Sequence, residues 1–191
     1  SFLLENGAQL LFGSDTKSMV QEPLISGTLT LGSVSITYAA IITILVSIVS
    51  MIALTILVQK TKLGKAMRAV SEDMGAAQLM GISLNRTISF TFAVGSALAG
   101  IGSVLHIASY FQASPMMGSM LGLKAFVAAV LGGIGSIPGA MIGGFAIGIV
   151  ETLVTAAGLS TWKDGVVFAI LIVVLLLKPT GILGKKITEK V

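Results

Sequence analysis

The chain has 191 residues, of which 54% are hydrophobic and only 10% charged, with a formal net charge of +4 and a mean hydropathy of +1.00. A water-soluble domain could not bury so much apolar surface, so the composition predicts an all-α, polytopic transmembrane helical bundle. With no Cys and a single His, His106, disulfides, thiol nucleophiles and Cys- or His-rich metal sites are excluded.

Ser1 is not an initiator methionine, and SFLLENGAQLLFG does not follow the order of regions in a signal peptide. Phe2 to Phe12 mixes Leu and Phe with Glu5, Asn6 and Gln9, and reads as the outer end of a helix whose earlier turns precede the chain. Polar residues run from Gly13 to Pro23, and ISGTLTLGSVSIT then alternates apolar with small polar side chains, as in an extended or short-strand aqueous loop. Ile36 to Val58 is the first full span, since a bilayer core about 30 Å thick needs roughly 20 apolar residues in a helix. Beyond Lys62 lies GKAMRAVSEDMGAAQLMGI, Gly64 to Ile82, a charged amphipathic island. The preceding helix is expected to continue through Gly64 to Val70, Asp73 to cap a new turn, MGAAQLM to offer an apolar face, and Gly81 to end it. Such an island suits docking to a cytosolic partner; an ordinary interfacial loop has the same spacing.

Ile88 to Ile107 is the second span, with Gly95, Gly100 and Gly102 allowing close approach of helix backbones. A polar linker, Ala108 to Ser119, leads to Leu121–Gly133, which is short for a full crossing. The turn GIGSIPG, Gly133 to Gly139, precedes a span from Ala140 to Thr155. Here Gly139, Gly143, Gly144 and Gly148 form small-xxx-small pairs expected to serve helix packing. Each glycine costs about 1 kcal/mol against Ala in a helix, a cost that tight packing must offset. After a loop from Gly158 to Lys163, Gly165 to Leu177 is nearly pure Val, Ile and Leu, and a polar tail follows Lys178 and Pro179. The tally is five apolar segments and a truncated one.

Lys60, Lys62, Lys65, Arg68 and Arg86 flank or occupy the island, and Lys178, Lys185, Lys186 and Lys190 belong to the tail, so the positive-inside rule places both in the cytoplasm. Lys17, Lys124 and Lys163 then fall outside. Parity holds whether Leu121–Gly133 and its neighbour cross as a pair or re-enter together, so the depth of GIGSIPG stays open. Asn85-Arg86-Thr87 matches a glycosylation pattern but lies on the basic side, where no acceptor chemistry is expected. Glu151 sits inside an apolar helix, where a carboxylate costs about 2.5–3.5 kcal/mol unless it meets protein, water or a cation. Lys124 lies toward the same leaflet, and the two are expected to pair or share a polar network. They and His106 are candidates for polar positions along a translocation path; a structural anchor is the plainer role for Glu151, and a tolerated interfacial imidazole for His106. Trp162 and Tyr110 fit an interfacial aromatic belt.

No phosphate-cradling loop is present: AVLGGIGSIPGA has Pro138 where the last Gly of such a loop would stand, and no Lys follows. A thousandfold solute gradient costs about 4 kcal/mol to hold, and no intramembrane Asp, Glu and His relay is available to supply it. Any such energy must enter through the island.

LGKAMRAVSEDMGAAQLMGI, FTFAVGSALAGIGSVL, GLKAFVAAVLGGIGSIPGAMIGGFAIGIVE and the terminal KPTGILG, in this order and spacing, closely resemble the permease subunits of high-affinity branched-chain amino-acid ABC importers. The resemblance runs through nearly all of the chain and implies one permease domain, 1–191, lacking the N-terminal third, with a cytoplasmic coupling loop at 60–87. It implies that Glu72, Asp73, Ala76, Ala77, Met80, Gly81 and Ile82 seat in a groove of an ABC ATPase subunit; the loop is not the fuller EAA type of other importers. It further implies a second permease subunit, identical or related, a periplasmic or extracellular solute-binding protein, and a bacterial or archaeal cytoplasmic membrane. The chain itself would carry no catalytic residue, metal, cofactor or nucleic acid, with ATP and magnesium held by the partner ATPase. Permeases for sugars, urea or short amides share this architecture, and a stand-alone channel or secondary carrier would work without an ATPase.

Overall fold

The computed structural model describes residues 2–18, 27–31, 34–178 and 180–184. Pro23, Pro179 and the tail lysines Lys185, Lys186 and Lys190 lie outside the described residues. The chain divides into two compact units, Ser1–Pro115 and Met116–Val191.

In the first unit, helix α1 (Phe2–Phe12) buries no residue and ends at Gly13, where φ is +87°. A two-residue strand β1 (Lys17–Ser18) pairs antiparallel with a second short strand near the end of the unit, described below. Strands β2 (Thr28–Leu31) and β3 (Val34–Thr37) form an antiparallel pair with Leu31 opposite Val34 and Thr28 opposite Thr37. The alternation in the sequence thus becomes a hairpin, and it claims Ile36 and Thr37 from the expected first span. Helix α2 (Tyr38–Lys60) therefore starts at Tyr38 and runs 23 residues, about 35 Å. Two short helices follow, α3 (Lys62–Glu72) and α4 (Met74–Leu79), and then α5 (Leu84–Tyr110), which extends past both ends of the expected second span. Phe111 closes α5 in the left-handed region (φ 53°), and β4 (Gln112–Ala113) pairs with β1.

Several hydroxyls of these apolar helices turn back on their own backbone, whereas the buried Thr55 Oγ1 on α2 has no partner among the described residues. Thr43 donates to the carbonyl of Ala39 at 2.8 Å, Ser47 to Thr43 at 2.7 Å, and Thr91 to Thr87 at 2.8 Å. Where water is scarce, the carbonyl one turn back is the nearest acceptor, so a helix can carry Ser and Thr through an apolar layer without an orphaned donor. Thr43 and Ser109 also approach across α2 and α5, with their oxygens 3.5 Å apart.

The second unit is a three-helix array: α6 (Met117–Gly132), α7 (Ile137–Ala156), a 3-10 turn at Ser160–Trp162, and α8 (Lys163–Leu177). The polar linker ends earlier than its composition indicated, because Met117 to Ser119 are already helical. At 16 residues, about 24 Å, α6 is still shorter than the bilayer core. Among the described residues four stretches, Tyr38–Lys60, Leu84–Tyr110, Ile137–Ala156 and Ser160–Leu177, are long and apolar enough to cross a membrane. The GIGSIPG turn is also shorter than expected. Ser136 caps α7 by accepting from the N–H of Gly139 at 3.1 Å, so Ile137, Pro138 and Gly139 form the first helical turn, where the missing proline N–H costs nothing.

Packing in this unit is backbone on backbone at the turn and side chain on side chain above it. A Cβ on Gly139 would lie 2.4 Å from the carbonyl oxygen of Gly132, and one on Gly143 would lie 2.2 Å from that of Ala128. Val127, Ile147 and Val167, one from each helix, form the buried centre, with Ala128, Phe168 and Leu171 against it. The second glycine pair behaves differently: a Cβ on Gly144 would meet only that of Ala128 at 3.9 Å, and Gly148 has nothing within 4 Å. Of the four glycines proposed for packing, Gly139 and Gly143 therefore meet α6 closely, whereas Gly148 meets none of the described residues.

The tail is part of the fold. After α8 the segment 180–184 returns to the end of α6, where the N–H groups of Ile182 and Leu183 donate to the carbonyls of Leu131 and Gly132, both at 2.9 Å. Lys178 Nζ donates to the carbonyl of Ile182 at 2.7 Å and closes the loop. Gly143→Ala is expected to lower stability by about 1–3 kcal/mol, because its methyl would press on backbone that cannot give way. Gly148→Ala, with open space and better helix propensity, is expected to raise it by about 1 kcal/mol. Melting curves of the two variants in one detergent check this difference in sign.

Candidate functional site

Two features concentrate chemistry that an apolar bundle does not need: the α3–α4 handle in the first unit and an ion cluster in the second. The handle is held by residues that each serve two helices. Thr61 leaves helical conformation (φ −89°, ψ 159°), so α3 starts afresh and does not continue α2 as the sequence reading expected. Its hydroxyl donates to the carbonyl of Leu57 at 2.6 Å and accepts from the N–H of Gly64 at 3.0 Å, closing one helix and opening the next. Gly64 is required at this corner, since a Cβ there would lie 2.2 Å from the carbonyl oxygen of Leu57. Asp73 repeats the device, its N–H donating to Ala69 and its carboxylate accepting from the N–H of Ala76 at 3.0 Å.

Gly81 ends α4 as expected, at φ +82°. The N–H of Ile82 donates to Ala77 and that of Gly81 to Gln78, both at 3.0 Å, a Schellman arrangement that satisfies two terminal carbonyls. This cap turns Ala77 inward (4% exposed) and leaves Ile82 half-buried, so two of the seven residues expected to meet a partner have little surface to offer. Glu72, Asp73, Ala76, Met80 and Gly81 remain exposed. The seven-residue contact set left out Leu79 and Met74, which belong to the expected apolar face MGAAQLM and are 91% and 59% exposed. The cap held the signal: with Ala77 packed inward, Leu79 lies about 200° further round the helix and must face out.

In the second unit Lys124 Nζ lies 2.7 Å from Glu151 Oε1 and 2.8 Å from Asp164 Oδ1, the three side chains being about a quarter to a third exposed. One lysine on α6 thus joins carboxylates on α7 and α8. The expected pairing of Lys124 with Glu151 is present in the geometry, and Asp164 is the member that sequence reasoning missed. Glu151 lies near the end of α7 and Asp164 in the first turn of α8, so the short connection at 157–162 brings them to one level. The acidic residue opening α8, read together with that short connection, was the available signal. His106 belongs to the first unit, where its ring centroid lies 4.6 Å from that of Tyr110, one turn on along α5. Among the described residues no group of His, Cys, Asp and Glu could hold a metal ion.

An all-α architecture with four helices long and apolar enough to cross a membrane, two of them joined by a capped, charged handle, is that of a polytopic membrane protein. The chain belongs to the family of the branched-chain amino acid transport system permease component, whose model matches residues 2–175. It is 44% identical over its whole length to the Escherichia coli K12 high-affinity branched-chain amino acid transport system permease protein LivH, covering 63% of that protein. It is 41% identical to the corresponding Pseudomonas aeruginosa protein BraD, again covering 63% of it. Over 73% of its length it is 36% identical to a probable branched-chain amino acid permease of Methanocaldococcus jannaschii, covering 46% of that protein. The chain therefore spans less than two thirds of the curated relatives it matches. No solved structure matches it.

Lys124→Met strands two carboxylates with no cation between them and is expected to cost about 3 kcal/mol, the low end for a broken buried pair because water reaches the cluster. Asp164→Asn and Glu151→Gln each leave one ion pair in place and are expected to cost about 1 kcal/mol. A double-mutant cycle on thermal unfolding checks this ranking.

Proposed function

We propose that the chain is part of a permease subunit that imports branched-chain amino acids, such as leucine, isoleucine and valine, through a bacterial or archaeal cytoplasmic membrane. The observation that carries this reading is the handle. A helix pair fastened by Thr61 and Asp73 and bearing exposed Leu79 and Met80 can receive force from a cytosolic subunit, and the relatives named as permeases match across the whole chain. Residues 60–87 act as the coupling loop of a single permease region covering 1–191. The partners are two ABC ATPase subunits, which bind and hydrolyse ATP with magnesium, a second permease subunit, and a solute-binding protein that delivers substrate from outside.

The mechanism follows from stiffness. Nucleotide-driven closure of the ATPases moves α4, and its caps leave little slack before α3 and α5 must move with it. The apolar face of α4 supplies the grip, with Leu79 and Met80 as anchors and Glu72 and Asp73 as its polar rim. Basic residues around the handle and in the tail favour the cytoplasmic side for both, which puts the α6–α7 turn inside and directs the Lys124 cluster toward the outer leaflet. There Lys124, Glu151 and Asp164 form a polar step at the outer mouth of the path. Leu79→Asp is expected to cut ATP-dependent uptake in proteoliposomes by roughly tenfold or more while leaving the melting temperature unchanged, because the side chain touches only solvent in the isolated permease. Full uptake by that variant removes the handle from the mechanism.

A further inference from the structure

We infer that α6, α7 and α8 move as one rigid body during transport, clasped at one end by the tail segment 180–184 and at the other by the Lys124 ion cluster. Four different interactions fasten the three helices in succession along their length. At the turn end, the last carbonyls of α6 receive their hydrogen bonds from Ile182 and Leu183 of the tail, so α8 is tied to α6 by main-chain bonds. Three glycines make that closure possible: a Cβ on Gly133 would lie 2.3 Å from the nitrogen of Gly184, one on Gly181 2.5 Å from the carbonyl oxygen of Val130, and one on Gly184 would overlap the carbonyl of Thr180. Next come the backbone contacts of Gly139 and Gly143 with α6, then the buried Val127, Ile147 and Val167. At the far end Lys124 pins α7 and α8 at once.

Sliding or tilting any one helix would break interactions of several kinds together. Packed backbones and main-chain hydrogen bonds have discrete arrangements, and intermediate positions leave carbonyls without donors in an apolar surrounding. A contact plane made only of side chains could re-form after a shift, but the glycine contacts and the clasp cannot. The rearrangement that passes solute is therefore accommodated outside this unit.

This inference rests on the import reading for its motion, and its test separates the two. Residues 1–191 contain no Cys, and any Cys elsewhere in the full-length permease or in its partner subunits is first replaced by Ser, so that the introduced thiols are the only ones. A Cβ at position 144 would lie 3.9 Å from that of Ala128, within the usual disulfide range of about 3.5–4.5 Å. In the full-length permease assembled with its partner subunits, oxidising an Ala128→Cys/Gly144→Cys pair is expected to leave ATP-driven uptake unchanged. Loss of uptake on oxidation, restored by a reductant, overturns the rigid body. The position of α8 is read by spin labels on Met120→Cys and Leu176→Cys, both at exposed sites, compared with ATP and with ADP-vanadate. A single unchanged distance supports the inference; a shift of about a helical turn, 5 Å, overturns it. If unmodified and reduced proteins both fail to accumulate a branched-chain amino acid, the import reading falls and the label distance still decides whether the unit is rigid.

Discussion

Every helix end leaves backbone N–H or C=O groups without intrahelical partners, and the architecture of this protein follows from which side chains and segments serve them. Thr61 closes α2 and opens α3 with one hydroxyl, Asp73 joins α3 to α4, and the tail returns to serve the last carbonyls of α6. Each solution fixes a corner or a clasp. The handle is stiff because its joints are satisfied, and the three-helix unit is closed because its tail has no better partner than α6.

Glycine acts with this constraint. Lipid gives little reason for two apolar helices to prefer each other over acyl chains, so close backbone approach supplies the attraction. Gly139 and Gly143 spend their missing side chains on that approach, and Gly64 does the same at the corner of the handle. A Cβ on Gly148, one turn beyond Gly144, would meet no described residue within 4 Å, which leaves that part of α7 smooth. Identical spacing in sequence thus has two different outcomes, separated by which face of α7 meets α6.

Charge is used sparingly and in two ways. At the handle, charged side chains are solvated and mark a side of the membrane. In the second unit, one cation bridges two carboxylates from different helices, an arrangement that tolerates partial burial because Lys124 is shared. The pairing of Lys124 with Glu151 was legible because two opposite charges stood alone in apolar segments at similar depth. Asp164 was not, because it lies beside Lys163 and Trp162 in what reads as a loop, and only the hairpin of α7 with α8 turns it toward Lys124.

Composition, the order of the apolar segments, the β2–β3 alternation and the caps at Asp73 and Gly81 were determined by the sequence alone, since each depends on neighbours a few residues away. The break at Thr61, the inward turn of Ala77 and the exposure of Leu79 were decided by how α3 and α4 fold back, a matter of angles that hydropathy does not encode. The tail read only as a polar segment after the last span, with no sign that it bonds back to α6. Its bonds to Leu131 and Gly132 join residues some fifty positions apart, and no local pattern carries a contact that only the closed three-helix array brings within reach.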